Sequence, residues 1–383
     1  MVTEIGVGPV SVERNKVIDD IAKAISETLH ILRPPCPECG NKLDWGTIFC
    51  PGCGAHIETT ANKIVIATCP KCGHKIGLHQ KVCTNCGTNL VEVCSVCNNK
   101  VGLDAIFCPA CGAKIIEVNK YLKIVQNKLQ SIIYNLYHRD PKLAGYFNDI
   151  KGIEVKTEYA EEVRKLDTIF KDRLKQAYDL VHIHTDMFTI NTRNRGGSLT
   201  GWVQVNPKFD LDVTRRMYLN VMPEHINLVV FALVNLMLHG FQSNKLPQII
   251  FKFPNPVCGT QRELIRADKV VVYYGNDAET HKILSEWSHA MGKYFHSDTP
   301  LFTTKIVDGV GFAYEPPPEQ HEYTVKHTGE MASFGSFMSL VIGRYLHAWI
   351  LHNKKIPNDA EMHQIAAEIY HYKLMKEHKY KFE

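Results

Sequence analysis

The chain has no apolar run long enough to cross a bilayer. Its longest, Ile226 to Leu238, is broken by Asn227 and Asn235 and falls short of the roughly 20 residues a membrane helix needs. Its opening, Met1 to Lys16, has no basic stretch followed by an apolar one, so no secretory leader is expected. It also lacks an excess of either charge: 44 Lys+Arg stand against 40 Asp+Glu, whereas nucleic-acid binders gather basic residues on one surface. Outside residues 36–111, cysteine is nearly missing, with only Cys258 out of thirteen. These absences argue against a membrane span and a secreted disulfide scaffold. They fit a soluble chain in the cytoplasm, where thiols stay reduced and bind metal.

The other twelve cysteines are regularly placed. Cys36 and Cys39 are followed by Cys50 and Cys53, Cys69 and Cys72 by Cys83 and Cys86, and Cys94 and Cys97 by Cys108 and Cys111. Each unit has two CxxC pairs separated by ten residues. A CxxC turn aims both sulfurs at one point, and two such turns make a tetrahedral thiolate cage suited to Zn²⁺. Glycine follows the second cysteine of five pairs, at 40, 54, 73, 87 and 112, where a knuckle turn calls for positive φ. Three structural zinc sites of four cysteines each are therefore expected, with no ligand position open for catalysis; a disulfide framework or an iron–sulfur site is the competing reading. Three such cages add about −2 each, which turns the formal +4 of the chain slightly negative. A protein or peptide partner is favoured over DNA or RNA, with Lys63, Lys71, Lys75 and Lys81 the only modest basic cluster in residues 1–118.

The 383 residues suggest two or three domains. The expected order is an amphipathic helix (1–33), ribbons at 34–58, 59–90 and 91–117, and a mixed domain from 118 to 383. Ile18, Ile21, Ile25, Leu29 and Leu32 share one face of the first helix, which Pro34 and Pro35 close. Val118, Leu122, Val125, Leu129, Ile132 and Leu136 form an a/d seam for a second. A third spans Glu158 to Leu180. Strands are expected at 201–205, 217–221, 248–253 and 269–274, and helices at 224–240, 278–295, 334–352 and 358–376. The segment from Thr299 to Glu330 reads as irregular. The class is α+β, with helices on one side of a small, mostly antiparallel sheet.

Four stretches carry a resemblance: Arg216 to Pro223 (RMYLNVMP), Lys252 to Pro256 (KFPNP), Arg266 to Tyr273 (RADKVVVY), and Thr299 to Thr303 (TPLFT) running on to Gly309 and Gly311. With Ser333-Phe334-Gly335, they resemble the HopA-type family of type III effectors and the lyase components of class V lanthipeptide synthetases, over roughly residues 120–352. The first arginine after Phe334-Gly335 is Arg344, later than the family pattern places one. The resemblance implies elimination of phosphate from phosphoserine or phosphothreonine, without a catalytic metal, and a place in the cytoplasm or in a host cytosol. That chemistry needs a base for the Cα proton, cations for the phosphate and a donor for the developing charge. Lys252 is the candidate base, because its flanking Phe251 and Phe253 can desolvate the amine. Arg216 and Arg266 are the candidate phosphate ligands. Asp268 is the candidate to orient an arginine, and Tyr218 or Tyr273 to donate to the leaving oxygen.

Each residue has a plainer reading. Lys252 can project into solvent, Arg266 and Asp268 can be a surface pair, and strand tyrosines pack well on their own account. His182 and His184 form a weak metal pattern, and the basic tail from Lys373 to Lys381 reads as a solvated helix end. The family domain can also act without catalysis, by binding a cellular protein, or the ribbons can grip nucleic acid.

Overall fold

In the computed structural model, the described residues are 9–33, 35–36, 38–43, 49–56, 65–69, 71–77, 82–88, 110, 120–193, 199–209, 211–243, 248–258, 261–275, 277–316, 320, 333–353 and 355–378. The four cysteines of the third ribbon, Cys94, Cys97, Cys108 and Cys111, lie outside them.

Helix α1 (Pro9–Ile31) starts on a proline, which suits the first helical turn, and ends just before Pro34 and Pro35. Its apolar stripe, Val17, Ile21, Ile25 and Leu29, is fully buried. The stripe joins a core shared with residues of the C-terminal domain, so α1 packs on that domain although three ribbons intervene in sequence. The first two ribbons are described. The second contains the hairpin β1 (Val65–Thr68) and β2 (Lys75–Gly77).

The C-terminal domain begins with α2 (Lys120–His138), α3 (Pro141–Ala144) and α4 (Ala160–Ile183). Seven strands follow: β3 (Phe188–Arg193), β4 (Leu199–Pro207), β5 (Arg215–Leu219), β6 (Ile249–Pro254), β7 (Val270–Tyr274), β8 (Thr304–Val307) and β9 (Val310–Tyr314). Between them run α5 (Ile226–Ser243), α6 (Gln261–Leu264) and α7 (Ala278–Ala290). The chain continues through α8 (Phe334–Asn353) and α9 (Asp359–Glu368), the latter passing into a π-helical run, Ile369–Glu377. The strands form one sheet in the order β3-β4-β6-β7-β5-β9-β8, with every neighbouring pair antiparallel.

The α+β class and the antiparallel sheet hold, but the sheet is covered on both sides and not on one. Alternate residues of a strand face opposite ways, and here both sets are covered. Val203, Val205, Met217, Phe251, Phe253, Val272 and Phe312 pack with α4, α5 and α7. Tyr218, Val271 and Ala313 pack with α1, α2, α8 and α9. The near-continuous apolar run of β7 follows from this double coverage. The segment read as irregular from Thr299 contains β8 and β9, joined by a turn at 308–309 with Gly309 at φ 74. The expected helix 278–295 stops at Ala290 and resumes as a 3-10 turn, Gly292–Tyr294. Among the described residues, no helix is long and apolar enough to cross a membrane.

A buried polar knot ties the domain together. Lys269, with no exposed side-chain surface, donates to Asp140 Oδ2 (3.3 Å), Asn220 Oδ1 (3.2 Å) and the Arg266 carbonyl (2.6 Å). His296 also bonds the Asp140 carboxylate. Burial lowers the Lys269 pKa. Burial alone would raise that of Asp140, but Lys269 and His296 overcome it and hold it down to about 2. A buried charge pair persists only when its remaining bonds are satisfied in this way.

Candidate functional site

The two described cysteine groups are cages. Cys36, Cys39, Cys50 and Cys53 have all their sulfurs within 4.8 Å of one another, as do Cys69, Cys72, Cys83 and Cys86. Cross-knuckle sulfur distances are 3.7 Å for Cys36–Cys53, 3.6 Å for Cys39–Cys50, and 3.7 Å for both Cys69–Cys86 and Cys72–Cys83. A tetrahedron with Zn–S bonds of about 2.3 Å has edges of about 3.8 Å, so the donor set fits zinc. Each knuckle is a closed turn, as where the Gly40 amide donates to the Cys36 carbonyl and the Cys36 amide to the Asn41 carbonyl. Gly40, Gly54, Gly73 and Gly87 all sit at φ between 68 and 75, the conformation that selects glycine after a CxxC pair. No histidine joins these groups among the described residues: His182 bonds its own helix at the Tyr178 carbonyl (2.7 Å).

The residues singled out in the C-terminal domain come together on the sheet face that looks toward α2 and α8. Register explains how. Arg216 pairs with Tyr273, Tyr218 with Val271, Ile250 with Tyr273, and Lys252 with both Val271 and Gln204. Trp202, Lys252, Tyr273, Arg216 and Tyr218 therefore project to the same side. The Lys252 amine lies 4.6 Å from the Trp202 ring centroid and 5.5 Å from that of Tyr273. The Arg266 guanidinium is 4.8 Å from the same indole, and that of Arg216 is 5.1 Å from Tyr273. Two aromatic rings thus gather three cations. Lys252 is half-buried on this face.

Both guanidiniums are already matched by carboxylates. Arg266 donates through Nε and Nη2 to the two oxygens of Asp268, both at 3.0 Å, and reaches Glu263 at 3.3 Å. Arg216 grips Glu315 through Nε and Nη2. Asp268 therefore orients Arg266, while Glu315 takes the corresponding place beside Arg216. Burial works to raise the Asp268 pKa, but Arg266 and His138 outweigh it and hold the carboxyl well below its usual range. Glu263 shifts upward, chiefly through burial. Tyr218 is buried, and burial drives its pKa far up, so it stays protonated.

Sequence reading missed three members of this site. His138, at the end of α2, has Nδ1 3.0 Å from Asp268 and 2.9 Å from Arg266 Nη2. Burial, then the Arg266 charge, lower its pKa to about 4, so it is neutral at pH 7. Trp202 and Glu315 lie on β4 and just after β9; only the period-2 pattern of their strands could have flagged their shared side. Several motif positions act instead through packing. Tyr137, Tyr218, Phe302 and Phe334 form one aromatic cluster, with Tyr137 and Phe302 stacked at 6.0 Å. Asn220 and Asn255 bond backbone carbonyls, of Asp298 (2.9 Å) and Thr200 (3.1 Å). Arg344 is buried on α8.

Comparison with known proteins agrees with both halves. Residues 69–112 match the double zinc ribbon model, and residues 202–368 match the HopA1 effector protein family. Two solved structures are similar, both effector proteins of Pseudomonas syringae. The one from pathovar tomato strain DC3000 is 15% identical, covering 63% of this chain and 86% of its own, at a TM-score of 0.36. The one from pathovar syringae strain 61 is 15% identical, covering 64% and 90%, at a TM-score of 0.36. No curated protein matches the chain.

Proposed function

Because the chain carries a HopA1 effector-family domain behind a double zinc ribbon, we propose that it eliminates phosphate from phosphoserine or phosphothreonine in a peptide or protein, the ribbons recruiting that substrate or a partner. The observation that carries this reading is the convergence of Lys252, Arg216, Arg266, Tyr273, Tyr218 and Asp268 around one sheet face. In this scheme the Lys252 amine takes the Cα proton. The electron pair left on Cα forms the Cα–Cβ double bond while the Cβ–O bond breaks, and phosphate leaves with that bonding pair. Arg216 and Arg266 share the phosphate charge with the carboxylates that position them, and protonated Tyr218 or Tyr273 donates to the leaving oxygen. The target is a protein of the cytoplasm, or of a host cytosol into which the chain is delivered.

The test is intact-mass measurement of phosphoserine and phosphothreonine peptides after incubation with zinc-loaded protein. Loss of phosphoric acid that Lys252→Ala abolishes supports the lyase. Elimination undiminished in Lys252→Ala removes that residue from the scheme. A second reading, a non-catalytic domain that binds a protein, is favoured by the carboxylate pairing of both arginines. It predicts unchanged peptide mass together with capture of a partner that survives Lys252→Ala.

A further inference from the structure

A second site lies between α1 and the body of the C-terminal domain. There an open cavity of about 810 Å³ is walled by α1 from Lys16 to Ile31 on one side, and by the end of α2, α3 and the 297–301 turn on the other. Its volume suits an organic ligand and exceeds the needs of a single ion. It is distinct from the face described above: Ala267 lines it, but Lys252, Arg216 and Tyr273 do not.

The walls are unbalanced in charge. Five cations and three carboxylates line the cavity. Lys16 pairs with Asp20 at 2.6 Å, and Lys305 with Asp308 at 2.6 Å. Asp20 is further engaged by the Phe302 amide at 2.9 Å. Among the described residues, Lys23, Arg139 and Lys156 make no such ion pair. Arg139 is the most telling. Its Nη2 is anchored on the Ala144 carbonyl at 2.9 Å, which fixes the guanidinium plane, while its buried Nε has no acceptor among the described residues. Burial lowers its pKa despite Glu27 and Asp149 nearby, so the charge is under-compensated where it stands. The apolar part of the wall includes Leu136, Phe147 and Leu301.

We propose that this cavity binds a small phosphomonoester of about the size of a nucleoside monophosphate, its phosphate on Arg139 and its organic body against Leu136, Phe147 and Leu301. With the pairs Lys16–Asp20 and Lys305–Asp308 set aside, three lining cations, Lys23, Arg139 and Lys156, face two lining carboxylates, Glu27 and Asp298, so the cavity keeps a positive excess that draws an anion, and three cations can share a phosphate. A planar guanidinium also matches phosphate oxygens two at a time. The ligand would rest on the helix that leads into the first ribbon, where Lys42 Nζ donates to the Ile31 carbonyl at 3.1 Å.

Calorimetric titration of the zinc-loaded full chain with AMP, ribose 5-phosphate and inorganic phosphate tests this. Binding of either ester, weakened at least tenfold by both Arg139→Gln and Lys156→Ala, supports the site. Lys156→Ala serves as the second lesion in case Arg139→Gln perturbs folding, since Lys156 is only half-buried. Absence of binding by both esters overturns the proposal. So does ester binding that the variants leave unchanged, or inorganic phosphate binding as tightly as the esters.

Discussion

Arg216 and Glu315 face each other across the β5–β9 seam, joined through both Nε and Nη2 of the guanidinium, whose flat side rests 5.1 Å from the Tyr273 ring. Arg216 is 8% exposed. The pair therefore stands where losing one partner costs more than losing both, because a lone buried charge has neither water nor a counter-ion.

Glu315→Gln should lower stability by about 3 kcal/mol, whereas the double change Arg216→Met with Glu315→Leu should cost markedly less. Urea unfolding of wild type and these two variants measures it. Equal losses in the single and double variants would show that the pair is exposed enough for water to screen it.

His138 sets a pH limit. Its pKa is about 4 in the folded chain, against about 6.5 when unfolded. Below pH 6.5 the unfolded chain therefore takes up a proton that the folded chain refuses. The His138 contribution is complete above pH 6.5 and is lost as pH falls toward 4, up to about 3 kcal/mol. His138→Gln should flatten stability between pH 7 and 4.5 relative to wild type. An unchanged slope would place the acid sensitivity elsewhere.

Local chemistry made half of this molecule legible. The knuckle cysteines and their glycines are read directly from sequence, because each knuckle turn with its positive φ is set within six residues of chain and the two knuckles of a cage lie only ten residues apart. The site on the sheet was legible only as a residue list. Lys252, Arg216 and Tyr273 are named by their motifs, yet their meeting depends on which strands become neighbours, and β6-β7-β5 is not sequence order. For the same reason Glu315 and His138 escaped notice: each is paired with a residue about 100 or more positions away. β8 and β9 were hidden by their shortness, and their pairing is fixed by the turn at Gly309 and by contact with β5.

The Ser333-Phe334-Gly335 motif is explained by packing, which gives a steric prediction. A Cβ on Gly335 would meet Tyr137 Cε1 at 2.4 Å and Cδ1 at 2.6 Å. Tyr137 is 1% exposed and hemmed in by Tyr218, Phe302 and Phe334. Gly335→Ala should therefore cost roughly 2 kcal/mol or more, the usual range for overpacking. Gly145→Ala is the control, since a Cβ there meets nothing within 4 Å and its φ is −60. A Gly335→Ala protein that unfolds at the wild-type urea midpoint would mean that the aromatic cluster can yield.

Zinc removal separates the two halves of the chain. Thiolates bind the ion only when deprotonated, and small ribbons owe their folding to it. By contrast, the C-terminal domain has one extensive apolar core of its own and shares a second with α1, and neither contains a cage cysteine. A strong chelator should abolish protection of the ribbon amides from hydrogen exchange while leaving those of β5 to β7 protected. Elemental analysis should give three zinc ions per chain, falling to two in a Cys94→Ser/Cys97→Ser variant and in a Cys36→Ser/Cys39→Ser variant alike. Two ions in the wild-type chain, unchanged by the Cys94→Ser/Cys97→Ser variant, would restrict metal to the two cages at Cys36–Cys53 and Cys69–Cys86. Loss of sheet protection along with the metal would mean that the ribbons, by way of α1, support the domain they precede.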